Sequence, residues 1–357
     1  MLTRRDFVRQ VAAGGAGLWL GAKAGRAAGA AEGHATAPER AAGAAAERST
    51  GAAAKSPAAT YTNPVIPGEN LADPTVILHE GTYYLYPTGG IRQGYVVYTS
   101  RDLVHWTKGP AVFESGRLNT WAPDVSRDPA DGKFYLYYTA DWKIGVAAAD
   151  RPEGPFADKG LLVTGAIDAH FFRDDDGRRY LYYTVGCTRM CVQPMASPTE
   201  KKGEPVELFR PAPGWETRNG TINEGPWMIK HAGKYYLLYS GSGADTPDYA
   251  EGYAVAASPL GPFEKARNNP IVQRGPGLYG PGHGCAIQDA AGRWWFVYHQ
   301  KKNEGRNFDR DICIDPLGFE ESVRPLRDAP VDSLKDGQGT LFGKATRGTP
   351  QAAPATQ

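Results

Sequence analysis

Gly81-Thr-Tyr-Tyr-Leu-Tyr, Gly132-Lys-Phe-Tyr-Leu-Tyr-Tyr, Gly177-Arg-Arg-Tyr-Leu-Tyr-Tyr, Gly233-Lys-Tyr-Tyr-Leu-Leu-Tyr and Gly292-Arg-Trp-Trp-Phe-Val-Tyr are five copies of one short pattern, spaced 51, 45, 56 and 59 residues apart. Each begins with a glycine suited to a tight turn and continues as an aromatic, β-prone run, which is how a strand leaving a hairpin reads. A second element follows in three copies, beginning at Tyr95, Ile144 and Tyr253. It reads as a third strand with its exit turn. Units of roughly 45–60 residues built from short strands and Gly/Pro turns match the four-stranded blade of a β-propeller better than a sandwich, whose strands do not repeat as a block. Five units predict an all-β, five-bladed β-propeller. No helical periodicity of useful length interrupts them.

The same repeat aligns the chemistry. Counted back from the turn glycines, Asp73 and Asp124 stand 8 residues upstream, while Asp168, Glu224 and His283 stand 9. One ionisable group at one equivalent place in each blade predicts that all five converge on the axial channel, which innermost strands line. Taken singly, Asp73 before Pro74 or Asp124 after Pro123 would read as a turn former, and His283 as a hydrogen-bonded core histidine. Recurrence in five blades favours the channel.

Composition suits a sugar ligand. The 357 residues carry a formal charge of +1 and 11% aromatic side chains, a balance that fits a soluble protein whose ligand is neither nucleic acid nor membrane. Aromatic faces stack on sugar rings, and such a site needs few charges beyond those that do chemistry.

The N-terminus reads as an address. Thr3-Arg4-Arg5-Asp6-Phe7-Val8-Arg9 resembles a twin-arginine export signal, and the apolar run over 11–21 is too short to span a bilayer. Small-x-small patterns ending at Ala24 and Ala30 offer cleavage sites. The expected organisation is a signal peptide over 1–30, a disordered Ala/Gly-rich linker over 31–60, the propeller over 61–342 and a disordered tail over 343–357, with an exported, monomeric product. An oxidising destination would permit disulfides among Cys187, Cys191, Cys285 and Cys313, in three connectivities that sequence does not separate. Cys187 with Cys191 is a plausible local staple. The lack of a CxxC pair speaks against zinc.

Three segments carry a family resemblance. Leu71-Ala72-Asp73-Pro74-Thr75-Val76, Trp121-Ala122-Pro123-Asp124-Val125 and Asn223-Glu224-Gly225-Pro226, in order and in blades one, two and four, resemble glycoside hydrolase family 43 over about residues 63–317. The resemblance implies a general base at Asp73, an auxiliary aspartate at Asp124 and a general acid at Glu224. It also implies that His283, in Gly280-Pro281-Gly282-His283, is an axial histidine beside a calcium ion, and that Arg310 meets the terminal sugar. Trp121 is the expected aromatic platform and Asp168, from the matching third blade, a further substrate contact. The acidic run Asp174-Asp175-Asp176 reads as a solvated turn rather than a metal loop.

Glycoside cleavage needs a proton for the leaving oxygen and a nucleophile on the opposite face of the ring. Burial and a negative neighbour, expected to be Asp124, would keep Glu224 protonated near neutral pH. Asp73, held ionised, would activate water. The resemblance therefore implies an inverting hydrolase that releases arabinose- or xylose-type sugars from oligosaccharides or polysaccharides. An endo-arabinanase would use the same triad, and a non-catalytic sugar-binding propeller would not need it. Retaining fructan enzymes also begin with Asp-Pro, but Ala72 and Thr75 depart from their pattern. Phosphorylases share the fold and would depend on phosphate.

Overall fold

All five turn glycines adopt a left-handed backbone, with φ of 71° at Gly81, 75° at Gly132, 83° at Gly177, 77° at Gly233 and 75° at Gly292. Each reverses the chain between the first and second strands of a blade, a conformation that costs glycine nothing and other residues strain. The computed structural model describes residues 60–320, 340–343 and 351–352. Apart from a short 3-10 turn at Trp215–Thr217, its regular elements are strands.

The strands form five antiparallel sheets in sequence order, one per repeat. Blade one holds Leu71–His79, Thr82–Gly89, Gly94–Ser100 and Thr107–Glu114; blade two holds Trp121–Arg127, Phe134–Ala140, Lys143–Ala149 and Ala157–Thr164. Blade three runs from Ala166–Arg173 through Arg179–Val185 to Arg189–Ser197, whose outer side is shared by Glu200–Lys201 and Val206–Phe209. Blade four holds Asn223–His231, Lys234–Gly241, Ala250–Ala256 and Glu264–Lys265; blade five holds Tyr279–Gln288, Trp294–Lys301, Arg310–Glu320 and Thr340–Gly343. The chain is a five-bladed β-propeller.

The aromatic runs lack polar alternation because each second strand is buried on both faces. Tyr83 and Leu85 pack with Val297 and Ile314 of blade five, while Tyr84 and Tyr86 pack with Phe134 and Leu136 of blade two. The same division repeats around the ring, so the core is five wedges between blades.

The N-terminal segment closes the ring on the last blade. The Val65 amide donates to the Ile312 carbonyl at 2.9 Å, and Asn63 exchanges two bonds with Ile314, giving to its oxygen at 2.8 Å and taking its amide at 2.9 Å. Within the segment read as a tail, Gln351–Ala352 pairs antiparallel with Thr60–Tyr61. Composition cannot signal such a pairing, since backbone groups supply it.

Two sequence readings change here. The four cysteines are buried free thiols, so Cys187 and Cys191 form no staple. Within the acidic run only Asp175 and Asp176 are exposed; Asp174 is 2% exposed and pairs with Lys230 and the Tyr235 hydroxyl of blade four. The readings of residues 1–59, signal peptide and linker, lie outside the described residues.

Candidate active site

Every innermost strand carries a β-bulge near its start. Register shifts fall between Ala72 and Thr75, Trp121 and Asp124, Ile167 and His170, Glu224 and Trp227, and Gly282 and Cys285. The first residue inside each bulge is left-handed: Asp73 (φ 46°), Ala122 (43°), Asp168 (58°), Gly225 (61°) and His283 (47°). A bulge re-aims one side chain out of the pleat, and here it turns side chains toward the axis.

This register corrects the expected equivalence of five ionisable groups. Asp73, Asp168 and His283 do occupy one equivalent place, but Glu224 lies one residue before it and Asp124 two residues after. The miscount comes from the first hairpin of each blade. Its turn has two residues in blades one and four, where His79 pairs with Thr82 and His231 with Lys234, but six in blade two, where Arg127 pairs with Phe134.

Asp73 is buried among cations and imidazoles. Arg310 Nη1 donates to its Oδ1 at 3.1 Å, His283 Nδ1 lies 3.4 Å from the same oxygen, and the Asp73 amide donates to His299 Nδ1 at 3.1 Å. Burial alone would raise its pKa, but the Arg310 charge, then His283, hold the carboxyl well below the usual carboxylate range. Its Oδ2 makes no protein hydrogen bond, and Asp73 lines the channel cavity together with Asp124, Asp168, His170 and His283.

Glu224 is 1% exposed and accepts the Tyr249 hydroxyl at 2.8 Å through Oε1. Its near neighbours are Asp168 and His283, with one ligand atom from each of the three lying within 4.8 Å of the others. Asp168 Oδ2 also accepts the Gly225 amide at 3.2 Å, tying blade three to the bulge beside Glu224. Gly225 is required there twice over. Its φ is left-handed, and a Cβ would come within 2.9 Å of the His283 ring.

Asp124 is engaged elsewhere. Its Oδ1 meets His170 Nδ1 at 3.2 Å and the Thr75 hydroxyl at 3.4 Å, while Oδ2 accepts the Phe171 amide at 2.8 Å. The carboxylate grouped with Glu224 and His283 is Asp168.

The model of the glycosyl hydrolases family 43 matches residues 61–323, which span all five inner strands and every residue above. The chain belongs to family 43. It is 30% identical over 305 residues to a β-D-galactofuranosidase (xynD) of Aspergillus niger, covering 77% of this chain and 86% of the relative. An extracellular exo-α-(1→5)-L-arabinofuranosidase of Streptomyces avermitilis is 29% identical over 299 residues, covering 73% of this chain and 59% of that one. Among solved structures, a thermostable family-43 glycoside hydrolase superposes with a TM-score of 0.73 at 34% identity, covering 83% of this chain and all of the other. This family 43 protein is accordingly a glycoside hydrolase acting on carbohydrate.

Arg310, Trp121 and His283 complete the residues singled out from the sequence. Arg310 is 6% exposed, with its guanidinium 5.5 Å from the half-buried Phe308 ring. Trp121 is half-buried at the start of its strand and meets Trp142 edge to face, with ring centroids 5.6 Å apart. His283 is held through its amide by Ser240 Oγ at 2.7 Å and Glu251 Oε2 at 3.0 Å. Burial pushes the Glu251 carboxyl up to about 8. Sequence reasoning missed Trp142, Tyr249, Glu251, His170 and His299. For His299 a signal existed, since it stands seven residues after Gly292 just as Thr88, Thr139, Thr184 and Ser240 follow their own turn glycines by seven.

Among the described residues no helix is long and apolar enough to cross a membrane.

Proposed function

We propose that the protein is an inverting glycosidase that releases arabinose- or xylose-type sugars, with Asp73 as general base, Glu224 as general acid and Asp168 as the carboxylate that tunes Glu224. One observation carries the reading: Arg310 and His283 keep Asp73 charged, whereas Glu224 has a carboxylate neighbour in Asp168. Asp73 takes a proton from water, the water oxygen bonds to the anomeric carbon, and Glu224 gives its proton to the departing oxygen. Arg310 and Trp121 bind the sugar. The names of the relatives support the substrate class, since they include an arabinofuranosidase, a galactofuranosidase and, in Bacillus subtilis, a β-xylosidase.

We assign a hydrated calcium ion beside His283 as a support for the channel, held through its waters; when bound it would supply positive charge to the channel. Export through the twin-arginine segment and a monomeric state belong to the same proposal.

The test is proton NMR of the first-formed anomer, using nitrophenyl arabinofuranoside, galactofuranoside and xyloside. Inverted product is expected. Asp73→Asn and Glu224→Gln should each lower kcat by roughly two to four powers of ten, since each removes one proton-transfer partner. Product that keeps the substrate's configuration would make Asp73 a nucleophile and overturn the assignment.

A further inference from the structure

Thr88, Thr139, Thr184, Ser240 and His299 occupy one equivalent place on the second strands, each opposite the residue that precedes the bulge of its own blade. Their side chains reach across to the next blade. Thr88 Oγ1 accepts the Ala122 amide at 2.7 Å, Thr139 Oγ1 the Asp168 amide at 3.0 Å, and Ser240 Oγ the His283 amide at 2.7 Å. Thr184 varies the theme by donating to the Asn223 carbonyl at 3.0 Å, while Asp168 takes the Gly225 amide. Four blades use a hydroxyl. The fifth, which grips the Asp73 amide of blade one, uses the imidazole of His299.

The chemistry of Asp73 explains the exchange. A hydroxyl carries its own proton and can give it to a carboxylate beside it, whereas a neutral imidazole with hydrogen on Nε2 presents a pure acceptor at Nδ1. His299 Nδ1 faces both the Asp73 amide at 3.1 Å and Oδ1 at 3.2 Å. The amide can only donate, so Nδ1 accepts. The ring also stacks on Tyr249, with centroids 5.6 Å apart and planes within 5°, and Tyr249 is the residue bonded to Glu224.

We propose that His299 is a positioning residue whose Nδ1 fixes the Asp73 backbone in its left-handed bulge. The proposal rests on Asp73 as general base. It requires an acceptor at the Nδ1 position, which asparagine can supply through its amide oxygen and which glutamine places farther out, near Nε2. His299→Asn should keep kcat within about threefold of wild type, and His299→Gln should lose roughly 10- to 100-fold in kcat with KM changed by less than about threefold. Equal activity in the two variants, whether high or low, would overturn the proposal, as would a loss in His299→Gln that falls on KM alone. Asp73→Asn measured alongside separates the two layers of argument. An active Asp73→Asn enzyme removes the base assignment itself, whereas an inactive one beside indistinguishable His299 variants removes only the role of His299.

Discussion

Asp73 and Glu224 need opposite protonation states within one channel, and their neighbours differ in the sense required. Positive charge from Arg310 faces Asp73, and the Asp168 carboxylate stands with Glu224. Arg310→Met should raise the pKa of Asp73, because the largest influence opposing burial is removed. The acidic limb of kcat/KM is then expected to move to higher pH, and an unmoved limb in a pH-rate profile would count against Arg310 in this role. Asp168→Asn should lower kcat by more than Asp124→Asn does, since Asp168 is the carboxylate grouped with Glu224. The reverse pattern would restore Asp124 to the triad.

Bulge and hairpin together determine which side chains meet. The bulge turns Asp73, Asp168 and His283 toward the axis, and a second-strand side chain from the preceding blade holds each of their amides. Thr139→Val keeps the shape but removes the acceptor from a buried amide, at a cost of about 1–3 kcal/mol. It should lower Tm and also reduce kcat, because the Asp168 carboxylate loses its fixed aim. A variant with lowered Tm but wild-type kcat would make the Thr139 bond purely structural. Second strands carry no bulge, so the seven-residue spacing from glycine to holding residue is constant in all five blades. First strands are reached across turns of two to six residues, and the spacing on that side drifts.

For the whole molecule, stability depends on closing a ring whose first and last blades are far apart in sequence. Asn63 is 2% exposed and bonds both backbone groups of Ile314. Asn63→Ala should therefore cost about 2 kcal/mol and lower Tm by roughly 4–8 °C, leaving kcat unchanged well below the transition. Calorimetry with an activity assay at low temperature checks this, and a parallel fall in kcat would mean that closure also shapes the channel. Farther round the ring, Asp128 meets Arg179 at 2.6 Å and Asp174 meets Lys230, pinning blade two to three and three to four.

The sequence by itself determined the number of blades, the turn glycines, the third strands and the membership of Asp73, Glu224, His283 and Arg310 in one channel. Those features repeat locally, and a strand buried on both faces writes its burial directly into its composition. Tertiary structure alone decided that Asp168 is the carboxylate grouped with Glu224 and His283, that the cysteines remain thiols, and that His299 and Tyr249 brace the carboxylates. Each of these depends on the depth at which a side chain enters the channel or on contact across a blade interface. A one-residue change in bulge position or a longer hairpin alters depth without altering the motif around it, so spacing along the chain does not encode it.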